Sequence, residues 1–173
     1  MFPRDIQDLA IKVLDGARRD SLTLATAESC TGGLVIGALT AIAGSSDVVD
    51  RGFITYSNAA KTQMLGVDAA LIAEHGAVSA EVALAMAEGA LIASGANLAV
   101  AITGIAGPGG GSVQKPVGLV HFALAHGGRP ALQREMRFGD IGRDAVRMAS
   151  VRVALDMLLA QVNGGGRASA TSS

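Results

Sequence analysis

A short β-like run that turns directly into a helical pattern constrains the fold more than any other feature of this chain. Residues 21–26 favour a strand, and the apolar spacing of residues 34–42 is typical of a helix. The turn between them is Ala27-Glu28-Ser29-Cys30-Thr31-Gly32-Gly33, in which most residues are small. We therefore predict a strand–turn–helix unit, the element from which α/β proteins are built.

Ser29 lies at this turn, where its hydroxyl can stand clear of the backbone. The free N–H groups at the start of a helix can stabilise the oxyanion that forms when a serine attacks a carbonyl group. The neighbouring candidates for substrate binding are Glu28, Cys30, Thr31, Gly32 and Gly33. The same pattern also fits a serine that only caps the helix and is followed by packing glycines, and the local sequence leaves both interpretations open.

Tyr56 and Lys61 form a second group of candidates. Tyr56 is the only tyrosine of the chain and ends the predicted strand 48–57, whereas Lys61 lies about one turn into a helix that Asn58 is predicted to cap. Burial lowers the pKa of a lysine amine, so a neutral Lys61 can accept a serine proton while Tyr56 relays that proton or steadies the lysine. A surface lysine beside an edge tyrosine is the alternative that this segment leaves open.

A glycine-rich loop, residues 104–112, follows the apolar run 97–103, which is typical of a buried central strand. So many glycines after a buried strand indicate a backbone that approaches a ligand closely, and consecutive N–H groups can hold a phosphate or an oxyanion. The candidate binding residues here are Thr103, Gly104, Gly107, Gly109 and Gly110. The loop matches neither a Walker loop nor a dinucleotide fingerprint, and a flexible connecting loop is the alternative.

Helical and β patterns continue along the rest of the chain. The remaining predicted elements are helices over 3–19, 68–74, 79–94 and 142–162 and two strands, 117–125 and 131–138, joined as a hairpin. We predict an α/β fold in which helices cover both faces of a mixed sheet. A single domain is expected over residues 1–162, and the Gly-, Ser- and Ala-rich residues 163–173 are expected to form a disordered tail.

Composition excludes several classes of function. The formal net charge of the 173 residues is −1 and no basic cluster is present, which argues against binding nucleic acid or an acidic membrane. A single cysteine cannot form an internal disulfide, and the three histidines have no metal-like spacing. The sequence shows no signal-peptide core and no apolar run of membrane-spanning length. We therefore expect a cytoplasmic protein without a metal site.

Several of these segments, taken together and in order, resemble the CinA C-terminal domain family. They are Glu28-Ser29-Cys30-Thr31-Gly32-Gly33, Arg51-Gly52-Phe53, Tyr56-Ser57-Asn58 with Lys61, His75-Gly76-Ala77-Val78-Ser79, Thr103-Gly104-Ile105-Ala106-Gly107-Pro108 and Lys115-Pro116-Val117-Gly118. The resemblance covers about residues 5–160, and the combination is specific although each motif alone is not. Characterised enzymes of this family are nicotinamide-nucleotide amidases.

The resemblance implies a three-layer α/β/α sandwich. It also implies hydrolysis of the carboxamide of nicotinamide mononucleotide to nicotinic acid mononucleotide and ammonia, with no cofactor and with this small molecule as the partner. Ser29 matches the family's nucleophile, and Tyr56 and Lys61 match its activating partners. Thr103 and the glycine loop after it match the segment that lines the nucleotide site.

The chain departs from the family pattern at the start of the last helix. Members often have Gly-Asp-Arg there, whereas this chain has Gly139-Asp140-Ile141-Gly142-Arg143, so that the candidate for the phosphate, Arg143, stands two positions later. Two alternatives stay open: a module that binds pyridine nucleotides without turnover, and a serine–lysine amidohydrolase for another amide. Gly32 occupies the lysine position of the Ser-x-x-Lys signature of penicillin-binding enzymes. The Ala-rich helices are compatible with a homo-oligomer.

Overall fold

The computed structural model describes residues 2–164, in which helices alternate with the strands of one sheet. The strands are β1 Leu24–Glu28, β2 Val49–Ile54, β3 Leu98–Gly104, β4 Leu119–His126 and β5 Arg129–Arg137. The helices are α1 Arg4–Arg19, α2 Leu34–Thr40, α3 Asn58–Leu65, α4 Ala69–His75, α5 Ala80–Ser94 and α6 Arg143–Gly164. The tail was predicted over residues 163–173. Residues 163 and 164 are instead the last two residues of α6, and residues 165–173 lie outside the described residues.

The sheet is mixed, as predicted, with the strand order β2-β1-β3-β4-β5. Strand β1 runs parallel to β2 and β3, whereas β4 is antiparallel to β3 and β5. Glu28, the last residue of β1, pairs with Ile54 on one side and with Ile102 on the other. The carboxyl ends of β1, β2 and β3 therefore meet at one edge of the sheet, where α/β proteins usually bind their ligands.

The two faces of the sheet carry side chains of different size, because successive residues of a strand point to opposite sides. Large side chains such as Leu98, Ile102 and Phe122 pack against α1, α2 and α6. The opposite face is made of alanines and is covered by α5: Ala25, Ala27, Ala99, Ala101, Ala123 and Ala125. The result is the expected three-layer α/β/α sandwich, with α5 lying close to the sheet.

Gly89 of α5 allows a similarly close contact between α5 and α3. A Cβ atom at Gly89 would lie 2.0 Å from the carbonyl oxygen of Leu65, the last residue of α3. Only a residue without a side chain fits at that distance. The contact holds α3 against α5, and α3 is the helix that carries Lys61.

The predicted elements are present, with shifted ends. Strand β1 includes Glu28, which the sequence places in the turn, and α2 ends at Thr40, two residues before the end of the apolar pattern 34–42. The hairpin turn is only Gly127-Gly128, because His126 already pairs with Arg129. None of the helices within residues 2–164 combines the length and apolarity that crossing a membrane requires.

Candidate active site

A cavity of about 220 Å³ lies at the edge where β1, β2 and β3 end. Ser29 follows β1, Tyr56 follows β2, and Thr103 lies near the end of β3, so the parallel strands deliver all three to one place. The lining residues are Ser29, Cys30, Tyr56, Asn58, Lys61, Ala77, Val78, Thr103, Gly104, Ala106 and Arg143. The residues predicted to be catalytic, Ser29, Tyr56 and Lys61, thus line one cavity.

Ser29 and Lys61 are in direct contact. Lys61 Nζ lies 3.1 Å from Ser29 Oγ, and it donates a hydrogen bond of 2.9 Å to the carbonyl oxygen of Thr55. Lys61 is 1% exposed and Ser29 is 9% exposed. A neutral amine in this position donates to Thr55 and keeps its lone pair for the hydroxyl proton of Ser29, which is the arrangement that a general base needs.

The electrostatic surroundings favour the neutral form of Lys61. Burial lowers the pKa of this amine below its ordinary value of 10.5, and the nearby Cys30 opposes the shift more weakly. Among the described residues, no carboxylate forms a salt bridge with Lys61 that would hold its charged form. A lysine buried without an anion is the kind that serves as a base near neutral pH.

The start of α3 places Lys61 in the cavity. The N-cap is Ser57 rather than the predicted Asn58: Ser57 Oγ accepts a hydrogen bond of 3.1 Å from the N–H of Ala60. Only residues 55–57 therefore separate β2 from the helix, and Lys61 follows within its first turn. Both ends of the segment are held, because Leu65 is pressed against Gly89 of α5.

Cys30, although adjacent to Ser29, lacks the features of a nucleophile. It is 6% exposed, and burial raises the pKa of its thiol to about 12. The reactive form of cysteine is the thiolate, which this environment disfavours at neutral pH. Cys30 contributes part of the cavity wall and a backbone N–H group.

Glu28 is fully buried and serves the turn rather than the cavity. Its two carboxylate oxygens accept hydrogen bonds from the N–H groups of Gly33, Val35 and Ile36, at 2.8–3.0 Å, and a further one from Thr26 Oγ1. Such a side chain satisfies the free N–H groups of the first turn of α2, where a negative charge is also stabilised by the helix dipole. Glu28 is not among the lining residues, so its predicted contact with substrate has no counterpart in the structure.

We expect Glu28→Ala to lower the free energy of unfolding by roughly 3 kcal/mol or more, because it leaves three N–H groups without an acceptor in a buried place. Urea denaturation measures this change. Glu28→Gln keeps one acceptor oxygen and should lose less, and Glu88→Ala on the exposed side of α5 is the matched control. Equal stability of Glu28→Ala and Glu88→Ala would contradict the capping role.

Not all the backbone N–H groups of the turn are free to bind an oxyanion. The N–H of Gly32 donates to the carbonyl oxygen of Ser29 at 3.1 Å, and that of Gly33 donates to Glu28. Those of Cys30 and Thr31 donate to no backbone oxygen within the described part of the chain; both face the thiol of Cys30, whose pKa they lower against the larger effect of burial. Gly32, Gly33 and Thr31 do not line the cavity. The N–H of Cys30, the residue after Ser29, is therefore the best placed donor, with that of Thr31 next to it.

Tyr56 and Arg143 meet at the mouth of the cavity. Tyr56 is 62% exposed, and its hydroxyl accepts a hydrogen bond of 3.0 Å from Arg143 Nη2. Arg143, the first residue of α6, also donates to the carbonyl oxygen of Gly107 at 2.9 Å. Tyr56 has no hydrogen bond to Ser29 or Lys61, so the structure does not support the predicted proton relay. Arg143 does reach the cavity, despite the departure from the family pattern.

The glycine loop contributes mainly its beginning. Gly104 and Ala106 line the cavity, and Thr103 Oγ1 donates to the carbonyl oxygen of Ala77 at 2.8 Å, which fixes the opposite wall. Gly107 touches the site only through Arg143, and Gly109 and Gly110 are exposed and are not lining residues. The loop as a whole is therefore less of a ligand cradle than its glycine content suggests.

Two basic residues support the site in ways that the sequence did not reveal. Lys115 Nζ donates to the carbonyl oxygens of His75 and Val78, at 2.5 and 2.7 Å, and so holds the wall that includes Val78. Arg147 of α6 donates to the carbonyl oxygens of Cys30 and Thr31. Their partners are backbone oxygens far away in sequence, and such contacts leave no local pattern. No cluster of three metal-ligating side chains occurs within residues 2–164.

A family model for the CinA C-terminal domain matches residues 6–162. The chain belongs to the CinA C-terminal domain family. One relative in this family, the nicotinamide-nucleotide amidohydrolase PncC of Escherichia coli K12, is 49% identical over 162 residues, which cover 93% of this chain and 97% of that protein. A CinA-like protein of Citrifermentans bemidjiense is 51% identical over 158 residues, 91% of this chain. The chain spans only 38% of that longer relative.

Solved structures of CinA proteins have the same fold. The competence/damage-inducible protein CihA of Agrobacterium tumefaciens is 58% identical and superposes with a TM-score of 0.92, over 94% of this chain and 98% of the other. A CinA-superfamily protein of Klebsiella pneumoniae is 37% identical, with a TM-score of 0.86 over 91% and 98% of the two chains. These similarities confirm the family and the fold that the motifs predicted.

Proposed function

We propose that this CinA domain is an amidase that hydrolyses the carboxamide of nicotinamide mononucleotide to nicotinic acid mononucleotide and ammonia. The observation that carries the proposal is the buried Ser29–Lys61 contact of 3.1 Å, beside backbone N–H groups that donate to no backbone oxygen among the described residues. The substrate class is supported by the 49% identity with a nicotinamide-nucleotide amidohydrolase of nearly the same length. A cavity of about 220 Å³ suits a pyridine ring and its carboxamide, with the ribose phosphate at the mouth.

In the first step, the neutral amine of Lys61 takes the hydroxyl proton of Ser29. The oxygen of Ser29 attacks the carboxamide carbon, and the carbonyl oxygen becomes an oxyanion. The N–H groups of Cys30 and Thr31 donate to it, and one such donor is worth about 3 kcal/mol in the barrier. Lys61, now an ammonium, returns the proton to the nitrogen of the collapsing intermediate, so that ammonia leaves and an acyl ester on Ser29 remains.

In the second step, water takes the place of ammonia, and the proton transfers and bond changes of the first step occur in the reverse order. Lys61 is neutral again and takes a proton from a water molecule that attacks the ester carbon. The same N–H groups hold the oxyanion, and the ester bond to Ser29 breaks as Lys61 protonates the serine oxygen. The products are the free enzyme and the carboxylic acid, so that all atoms of the consumed water are found in the acid and the serine hydroxyl.

A module that only binds nucleotides requires a charged Lys61 to hold an anion. Burial of this amine without a carboxylate disfavours that form, which is why we prefer catalysis. The deciding test is ammonia release from nicotinamide mononucleotide by the purified chain. Nucleotide binding without turnover by the folded native protein would support the binding module instead.

Arg143 is the residue we assign to the phosphate of the nucleotide. It is exposed at the mouth of the cavity, where Tyr56 and Gly107 orient its guanidinium, and no salt bridge within residues 2–164 neutralises it. A planar guanidinium suits phosphate because it can donate two parallel hydrogen bonds. In this proposal Tyr56 positions Arg143 and does not transfer a proton.

We expect Arg143→Met to raise KM for nicotinamide mononucleotide by roughly 10- to 100-fold with little change in kcat, because a hydrogen bond to a charged group contributes about 1.5–3 kcal/mol. Steady-state assays of ammonia release measure both constants. Nicotinamide riboside, which lacks the phosphate, is the control substrate, and its kcat/KM should change little. An equal loss for both substrates would show that Arg143 acts on something other than the phosphate.

A further inference from the structure

We propose that Arg147 is a positioning residue, which orients the backbone N–H groups that receive the oxyanion at Ser29. This inference rests on the amidase function proposed above. Arg147 lies on α6 and is half-buried, away from the lining of the cavity. It therefore acts on the reaction through the turn and not by touching the substrate.

Arg147 holds two carbonyl groups of the turn. Its Nε donates to the carbonyl oxygen of Cys30 at 3.2 Å, and its Nη2 donates to that of Thr31 at 3.1 Å. A peptide unit is planar and trans, so its N–H points opposite to its C=O. Holding the carbonyl of Cys30 therefore fixes the direction of the N–H of Thr31, which donates to no backbone oxygen among the described residues.

The second carbonyl extends this control to the N–H of Cys30. Arg147 fixes the peptide between Thr31 and Gly32, and the N–H of that peptide donates to the carbonyl oxygen of Ser29 at 3.1 Å. The carbonyl of Ser29 belongs to the same peptide plane as the N–H of Cys30. The N–H of Leu34 also donates to the carbonyl oxygen of Thr31, at 3.3 Å. Together with that bond, one guanidinium orients three successive peptide planes, including those of the Cys30 and Thr31 donors.

The charge of Arg147 adds to this effect. No carboxylate among the described residues pairs with it, so its positive charge is directed at the carbonyl groups of the turn. Hydrogen bonds in a chain polarise one another, and a peptide whose carbonyl is bound to a cation is a stronger N–H donor. Glu28 supports the same turn from the other side, through the N–H groups of α2.

Arg147→Met tests the inference, with Arg152→Met as the matched control. Arg152 lies on the same helix but pairs with Asp5 of α1, so its loss removes an equal charge without touching the turn. We expect Arg147→Met to lower kcat by about 10- to 100-fold, somewhat less than the loss of a whole oxyanion donor, with KM within about twofold. Arg152→Met should change neither constant by more than about twofold. The kcat of Arg147→Lys should lie between those of the native protein and Arg147→Met.

Binding separates positioning from a general structural role. The dissociation constant of nicotinamide mononucleotide is measured by calorimetry for Ser29→Ala and for the double variant Ser29→Ala with Arg147→Met. We expect the two constants to agree within about twofold, because the ground-state amide makes little use of the oxyanion donors. Weaker binding that matches the loss of rate would overturn the inference in favour of a structural role.

Two further outcomes of these assays would overturn the role of Arg147. An active native protein in which Arg147→Met behaves like Arg152→Met would overturn this inference and leave the amidase proposal intact. A native protein that releases no ammonia would overturn the amidase proposal and this inference with it. The two failures are therefore distinguishable in one set of assays.

Discussion

Replacing Ser29 with alanine is expected to reduce ammonia release from nicotinamide mononucleotide by a factor on the order of 10⁴ or more, because the acyl ester can no longer form. Ser29 is the hydroxyl in contact with the buried Lys61 amine, and Cys30 beside it is held as a thiol. The measurement is initial-rate ammonia release at saturating substrate. Mass spectrometry of quenched native protein should also find the acyl adduct on the peptide that contains Ser29.

Ser94→Ala is a suitable control for this substitution. Ser94 ends α5, where its hydroxyl donates to carbonyl oxygens of its own helix and accepts from the N–H of Ala96, far in the sequence from the turn. It should retain the native rate. A Ser29→Ala protein that releases ammonia at close to the native rate would show that Ser29 is not the nucleophile, whatever the effect of substituting Lys61.

The second large effect is expected for Lys61→Met, which should lower kcat by about 10²–10⁴-fold, the usual contribution of a general base. Methionine has a similar length and can fill the same buried space without an amine. In the native protein, kcat should rise with pH through the folded-state pKa of Lys61, because the neutral amine is the active form. Lys61→Met should lack this rise.

The same substitution should make the protein more stable near neutral pH, by about 1–3 kcal/mol, since burying a polar group with incomplete compensation costs about that much. The sign of the pH dependence follows from the lowered pKa. Between the folded-state pKa and 10.5, the unfolded chain binds a proton at Lys61 that the folded chain does not, so native stability rises with pH in that window. The advantage of Lys61→Met should therefore shrink as the pH rises.

Urea denaturation of both proteins at several pH values measures this difference. Lys12→Met, which removes an exposed lysine from α1, controls for the loss of a charge and should show no such trend. If Lys61→Met were inactive but less stable at every pH, Lys61 would be a structural residue with a charged amine. That outcome would favour the nucleotide-binding module over the amidase.

Much of the fold followed from local patterns in the sequence. Local patterns predicted the five strands and the helices, although the ends of several elements shifted by a few residues. Ser29 and Thr103 were each predicted at the end of a strand, whereas the parallel pairing of β1 and β3, which brings those ends to one edge, is known from the structure. The ends of the strands were less accurate: β1, predicted over residues 21–26, spans Leu24–Glu28, and its last residue caps the first turn of α2.

The sequence by itself determined which groups are present and near which strand end, because the formation of each strand and helix depends largely on nearby residues. The pairing of Ser29 with Lys61 was expected from those groups, but its direct contact depended on α3 packing against Gly89, which is a long-range contact. Tertiary structure alone decided that Tyr56 meets Arg143 rather than Lys61, and that Arg147 holds the turn of Ser29. Long side chains find their partners only after the elements have packed, since backbone oxygens are present at every position and leave no mark in the sequence.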